Sequence, residues 1–218
     1  MGLNYKDNFD NISDNIAKYS KSWKQKYPKV LVVTKKRSRV EIESFILQTQ
    51  HNVFGENYVQ EAQTKYIDLK QQFLNIKLHL IGHLQSNKAK DAVKLFDVIE
   101  TVDSFKLAKK LDDAEKLLDL KRQYLIQVNI GSEPQKSGVN IDDLSNLIKD
   151  IRSNLNINLI GLMCVPPKGQ NPSIYFAMLK NLARIYDLRY LSMGMSSDYK
   201  DAIAVGSDEV RIGSLMFA

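Results

Sequence analysis

Lys35 closes the run Leu31-Val32-Val33-Thr34-Lys35, and by strand alternation it shares a face with Leu31 and Val33. An amine on an apolar face, followed by Lys36, Arg37 and Arg39, is a candidate nucleophile, because neighbouring cations favour the neutral, reactive form. The same residues also read as an ordinary basic loop. Near the other end of the chain, Met193-Gly194-Met195-Ser196-Ser197-Asp198 and Arg211-Ile212-Gly213-Ser214 both set glycine beside serine where an apolar run stops. Glycine lets backbone N–H groups approach an anion, and the hydroxyls add donors. A helical pattern from Tyr199 places Ser196 and Ser197 near a helix start, which suits a phosphate, although turn residues and caps look similar. Arg211 interrupts an otherwise apolar run. A buried cation needs a partner, either a ligand, a ring nitrogen or a carboxylate such as Glu56 or Asp208.

His79 and His83 have the same parity along one run and its exit, but no third ligand stands near them, so hydrogen-bonded wall or structural roles are favoured over a metal site. Cys164, the single cysteine, ends another apolar run and reads as a small buried hydrophobe. It also excludes an intramolecular disulfide and a multi-cysteine zinc site. A lysine, an arginine and a phosphate cradle together describe pyridoxal 5′-phosphate, which needs an amine for its aldehyde, a partner for its ring nitrogen and donors for its phosphate.

These residues must be positioned by a repeating scaffold. Eight short apolar runs, Val30–Val33, Val53–Gly55, Leu78–Gly82, Phe96–Ile99, Tyr124–Val128, Leu159–Met163, Tyr190–Met193 and Val210–Gly213, alternate with helical patterns. The runs are too continuously apolar for strands with one wet face. Their spacing averages roughly 26 residues, close to the (β/α)₈ repeat. The predicted fold is α/β, a single TIM barrel over residues 1–218 of alanine-racemase type. No G-x-G-x-x-G follows the first run, which argues against a doubly wound sheet. The amphipathic stretch Asn4 to Trp23 predicts an extra N-terminal helix, and the five residues after Gly213 predict a truncated final helix. The extra helix is expected to cover the wall or bottom that a long last helix would occupy. In such a barrel the site lies at the C-terminal strand ends, with phosphate at the last two loops.

The formal net charge is +6, with 31 basic and 25 acidic residues, but the lysines are scattered along the chain. With no nucleic-acid-binding motif, the expectation is a solvated surface and no nucleic acid partner. No apolar run is long enough to span a membrane, and the first residues carry no secretory pattern, so the expected location is cytoplasmic.

The sequence resembles the YggS/PROSC family of pyridoxal phosphate homeostasis proteins, built on the alanine racemase N-terminal-domain barrel. The resemblance runs from about residue 30 to 217 and is carried by Val33-Thr34-Lys35, Phe54-Gly55-Glu56-Asn57-Tyr58-Val59-Gln60-Glu61 and His79 through Lys88. It continues through Val128-Asn129-Ile130 with Glu133, Lys136 and Gly138, then Gly161-Leu162-Met163, Leu191 through Asp198, and Gly206-Ser207 to Ser214. It implies that Lys35 carries pyridoxal phosphate as an internal aldimine, that Ser196, Gly213 and Ser214 hold its phosphate, and that Arg211 faces the pyridine nitrogen. Asn57 and His83 would line the pocket. It further implies a cofactor-binding and supply protein rather than a dedicated enzyme, a monomer with PLP-dependent apoenzymes as partners; the alternative is a PLP-dependent racemase or related enzyme. Asp208 stands where relatives carry a small hydroxyl residue and would set an anion near the phosphate loop.

Overall fold

The computed structural model describes residues 4–218. Eight parallel strands close into a barrel in sequence order, β1 pairing with both β2 and β8. They are β1 Lys29–Val33, β2 Val53–Glu56, β3 Lys77–Leu80, β4 Val98–Val102, β5 Gln123–Val128, β6 Asn158–Cys164, β7 Tyr190–Met195 and β8 Glu209–Ile212. The helices are α1 Tyr5–Ser22, α2 Arg39–Thr49, α3 Val59–Gln72, α4 Ala89–Leu95, α5 Phe105–Leu118, α6 Ile141–Asn154, α7 Pro172–Ile185 and α8 Tyr199–Val205.

Local chemistry sets the helix starts. Ser38 and Glu41 form a reciprocal capping box at α2, Ser104 caps α5, and Pro172 occupies the first turn of α7, where its missing N–H has no cost. One apolar layer fills the space between strands and helices, including Phe45, Phe54, Tyr66, Phe96, Tyr124 and Phe176. Inside the barrel the apolar content shrinks to a small cluster of Val98, Leu125 and Met163. Leu31, in register with Arg211, is a further buried apolar residue, and beside these the interior is polar: His79, Glu100, Ser192, Glu209 and Arg211 are all buried.

That polar interior explains where β4 departs from expectation. The run at Phe96–Ile99 predicts a strand there, but Phe96 closes α4 and β4 starts at Val98, continuing through Glu100 and Thr101. A glutamate and a threonine look like a strand's exit, yet both are completely buried: the barrel interior supplies His79 to Glu100, and Thr101 donates to the Gly82 carbonyl in the loop after β3 at 3.0 Å.

The extra N-terminal helix is present, and α1 fills the helix ring between α8 and α2. Tyr5 packs 5.8 Å from Phe45 and 5.5 Å from Phe217, and Asn8 Nδ2 donates to the Ala218 carbonyl at 3.0 Å. The wall that a final helix would cover is thus covered by α1. No helix among the described residues is long and apolar enough to cross a membrane.

Candidate functional site

The turn after β1 is fixed on both sides of Lys35. Thr34 is fully buried; its hydroxyl donates to Glu56 Oε1 at 2.7 Å and accepts from the Tyr66 hydroxyl at 2.7 Å. The Lys65 ammonium donates to the Thr34 carbonyl at 3.0 Å, to Glu56 at 3.0 Å and to Glu61 at 2.6 Å. On the other side, the Lys36 N–H donates to Glu61 Oε1 at 2.6 Å, and Lys36 itself has φ 61°. Arg37 is held by Glu41 and lies 4.8 Å over the Phe217 ring, while Arg39 pairs with Asp68. Lys35 is exposed and makes no hydrogen bond or ion pair among the described residues. A free amine is carried on an anchored turn.

Lys35, Asn57, Gly213 and Ser214 line one cavity of about 390 Å³, together with Lys36, Arg37, Tyr58 and Glu61. That volume falls in the usual range for small-molecule sites, about 300–1,000 Å³. Burial works to raise the Glu61 carboxyl, but Lys65 and the Lys36 N–H outweigh it and hold it below the ordinary carboxylate range. Three cationic side chains against one carboxylate leave the cavity wall suited to an anion. Gly82 sets the position of Asn57: a Cβ there would lie 2.2 Å from the Asn57 carbonyl oxygen and 2.7 Å from its Cα. Gly82→Ala is expected to lower the unfolding free energy by about 1–3 kcal/mol in urea melts, since backbone rather than a flexible side chain must give way.

Ser196 adjoins the cavity through Gly213, whose N–H donates to Ser196 Oγ at 3.4 Å. The tight turn after β7 uses Gly194 at φ 96°, a conformation that favours glycine. Asp198 Oδ1 accepts the Met195 N–H at 2.6 Å, so this donor of the turn is already engaged.

Arg211 shares a strand face with Gly213 and lies beneath it, 4% exposed. Its Nη2 donates to the Cys164 carbonyl and its Nη1 to Ser192 Oγ, both at 2.7 Å. Neither carboxylate considered from sequence is its partner. Glu56 belongs to Lys65, and Asp208 lies at the opposite end of β8, where it accepts the Leu191 N–H at 3.0 Å. Asp208 therefore sets no anion at the proposed phosphate loop. Cys164 is buried, and burial pushes its thiol up to about 12.

Ser192 passes the contact on, donating to Glu100 Oε2 at 2.6 Å. Glu100 Oε1 accepts from His79 Nδ1 at 2.7 Å, and Glu209, 3.5 Å from the same nitrogen, accepts from the Tyr190 hydroxyl at 2.9 Å. Burial opposes a charged imidazole, but Glu209 and Glu100 carry His79 to about 10. Burial also works to raise Glu209, which His79 and its hydrogen bonds hold down to about 2. Burial and the nearby Glu209 push Glu100 up to about 7. The third ligand type that the sequence lacked beside His79 is thus supplied by Glu100 and Glu209, with ligand atoms within 4.8 Å of one another. The direct Nδ1–Oε1 hydrogen bond makes this an ion network in the present structure.

His83 is not brought to the Lys35 cavity. It is exposed, 3.5 Å from Asp103, on a separate depression with Gln85 and Ser104. The loop after β3 turns outward beyond Gly82, so strand parity no longer governs where His83 points. Sequence reasoning also missed Ser192, Glu100 and Glu209; Ser192, between Leu191 and Met193, carried the available signal of a polar residue in an apolar strand, whereas Glu100 beside Thr101 and Glu209 beside Asp208 did not.

An eight-stranded barrel with a lysine after β1 and a Gly–Ser loop after β8 is a barrel of the alanine racemase class. The family model "Alanine racemase, N-terminal domain" matches residues 8–218, and an alanine racemase from Corynebacterium glutamicum shares the fold at TM-score 0.66 and 17% identity, over 94% of this chain and 60% of that one. A pyridoxal phosphate homeostasis protein from Haemophilus influenzae is 35% identical over 180 residues, 78% of this chain and 76% of the relative. PipY of Synechococcus elongatus, in a structure with PLP bound, superposes at TM-score 0.80 with 31% identity over 93% of this chain and 100% of that chain. The chain belongs to the pyridoxal phosphate homeostasis protein family.

Proposed function

We propose that this protein binds pyridoxal 5′-phosphate and serves its intracellular homeostasis and supply, with Lys35 Nζ as the covalent attachment point. The observation that carries the reading is the free amine of Lys35 on the same cavity as Gly213 and Ser214. The PLP-bound PipY structure and the names of the relatives support it.

The cofactor, when bound, supplies an aldehyde for an amine and an electron-withdrawing ring. The chain's own residues would do the rest. Thr34, Glu56, Lys65 and Glu61 hold the turn so that Lys35 Nζ faces the cavity. Gly213, Ser214 and Ser196 would receive the phosphate, and Asn57 would form the side wall. Arg211 is always protonated and only donates, so a ring nitrogen above it stays an acceptor and carries no proton. That weakens carbanion stabilisation. The same reading makes the chain a single cofactor-holding domain, a cytoplasmic monomer that delivers its cargo to PLP-dependent apoenzymes and has no nucleic acid partner.

Spectrophotometric titration tests the function. One equivalent of PLP is expected to bind, with pyridoxal, which lacks the phosphate, at least ~10-fold weaker. In deuterated water the loaded protein should leave the α-proton of added amino acids unexchanged. Equal affinity for pyridoxal would remove the phosphate cradle from the account, and rapid exchange would make the protein an enzyme.

A further inference from the structure

The end of the barrel opposite Lys35 carries a second cavity, of about 350 Å³, at the strand starts. Lys29 opens β1, Lys77 opens β3, and Lys121 and Arg122 precede β5; all four line it. Lys29 makes no ion pair among the described residues and rests 5.5 Å over the Tyr190 ring. Arg122 gives its backbone N–H to Glu115 at 2.5 Å and its Nε to the Val93 carbonyl at 2.8 Å, and its guanidinium pairs with no carboxylate among the described residues. Lys121 is paired with Glu115 at 3.2 Å, and Lys77 reaches Asp97 only at 3.7 Å, that carboxylate being held at 2.7 Å by Lys70. The wall is cationic even after its pairs are counted.

The floor of this cavity is His79, 4% exposed. Its Nδ1 faces inward to Glu100 and Glu209. Its Nε2, on the other edge of the ring, makes no hydrogen bond among the described residues, yet it is not among the fully enclosed polar atoms that lack partners. The ring therefore turns its free nitrogen to the cavity. The two buried carboxylates behind it keep the imidazole cationic, so Nε2 carries a proton and needs an acceptor. A metal ion would require His79 to lose that proton and would have to pass the ring of cations. An anion meets neither obstacle.

We propose that this end of the barrel is a second binding site, one that takes a small phosphate-bearing anion on His79 Nε2, with Lys29 and Arg122 as the cations that hold it. The site is independent of the Lys35 cavity and does not rest on the cofactor reading.

The test uses the full chain labelled with ¹⁵N-histidine, whose three histidines give separate imidazole signals. Inorganic pyrophosphate is the probe, titrated into unloaded protein and into protein loaded with PLP at Lys35, reduced with borohydride and freed of unbound PLP. The expected result is a saturable shift of the His79 Nε2 resonance while His83 stays in place, the same in both samples. Lys29→Ala, at an exposed position, should weaken the titration at least ~3-fold, and adding Arg122→Gln should bring the loss to roughly tenfold. No saturable shift up to about 10 mM would overturn the proposal, leaving water as the acceptor. So would a shift that Lys29→Ala leaves unchanged, or one that is absent from the loaded and reduced protein, since that would place the anion in the other cavity.

Discussion

Lys35→Ala is expected to lose the visible absorption band that added PLP gives the wild-type protein, and to bind the cofactor at least ~100-fold more weakly by equilibrium dialysis. Two of the neighbouring cations are engaged elsewhere: Arg37 gives its guanidinium to Glu41 and Lys65 its ammonium to Glu56 and Glu61, while Lys36 is anchored through its backbone N–H to Glu61, so Lys36→Ala, which should keep the band, is the companion variant. Stability should hardly change, since Lys35 is exposed and bonds to nothing among the described residues. The thermal midpoint without cofactor is therefore the control, and it should match wild type within about 0.5 kcal/mol. Weak residual binding through the phosphate cradle is compatible with the account, whereas an undiminished band in the variant is not.

The second large effect lies in the barrel interior. His79→Leu removes the cation between Glu100 and Glu209 and leaves the two carboxyl groups facing one another with only the Ser192 and Tyr190 hydroxyls donating to them. Breaking a buried ion pair from one side costs about 3–5 kcal/mol. At about 2–4 °C per kcal/mol for a chain of this size, the melting midpoint should fall by roughly 6–20 °C. Adding Glu209→Gln should recover part of that loss, because it removes one of the stranded charges.

The pH dependence has a definite sign. The folded-state value of His79, about 10, lies above the ordinary 6.5, so its contribution is fully present below pH 6.5 and is lost as pH rises through 10. Glu209, held at about 2, contributes above its ordinary range and loses that contribution only as pH falls towards 2. Glu100, raised to about 7, also loses stability as pH rises, so the comparison is made above pH 7: from there to pH 10 the wild-type midpoint should decline with pH more steeply than that of the double variant His79→Leu, Glu100→Gln. Parallel slopes in differential scanning calorimetry would show that His79 is not the cation of this network.

Much of this was legible in the sequence. Eight apolar runs at barrel spacing placed Lys35 after β1 and Gly213-Ser214 after β8, and a charge in an apolar strand singled out Arg211. The partners of Arg211 were not legible. Ser192 comes from β7 and the Cys164 carbonyl from β6, and only the closed register of the barrel brings them together. Glu100 and Glu209 were hidden for a related reason. A buried carboxylate is costly unless paired, so each looked like a surface residue until the fold supplied His79. His83 and Asp208 show where strand logic fails. One sits past the strand in a loop that turns away, and the other caps the strand end far from the phosphate loop.

Borohydride reduction of the PLP-saturated wild-type protein, followed by peptide mapping, addresses the attachment point directly. The account predicts one pyridoxyl-phosphate adduct per chain, on Lys35. An adduct confined to Lys36 or Lys136, or no trapped cofactor at all, would contradict it.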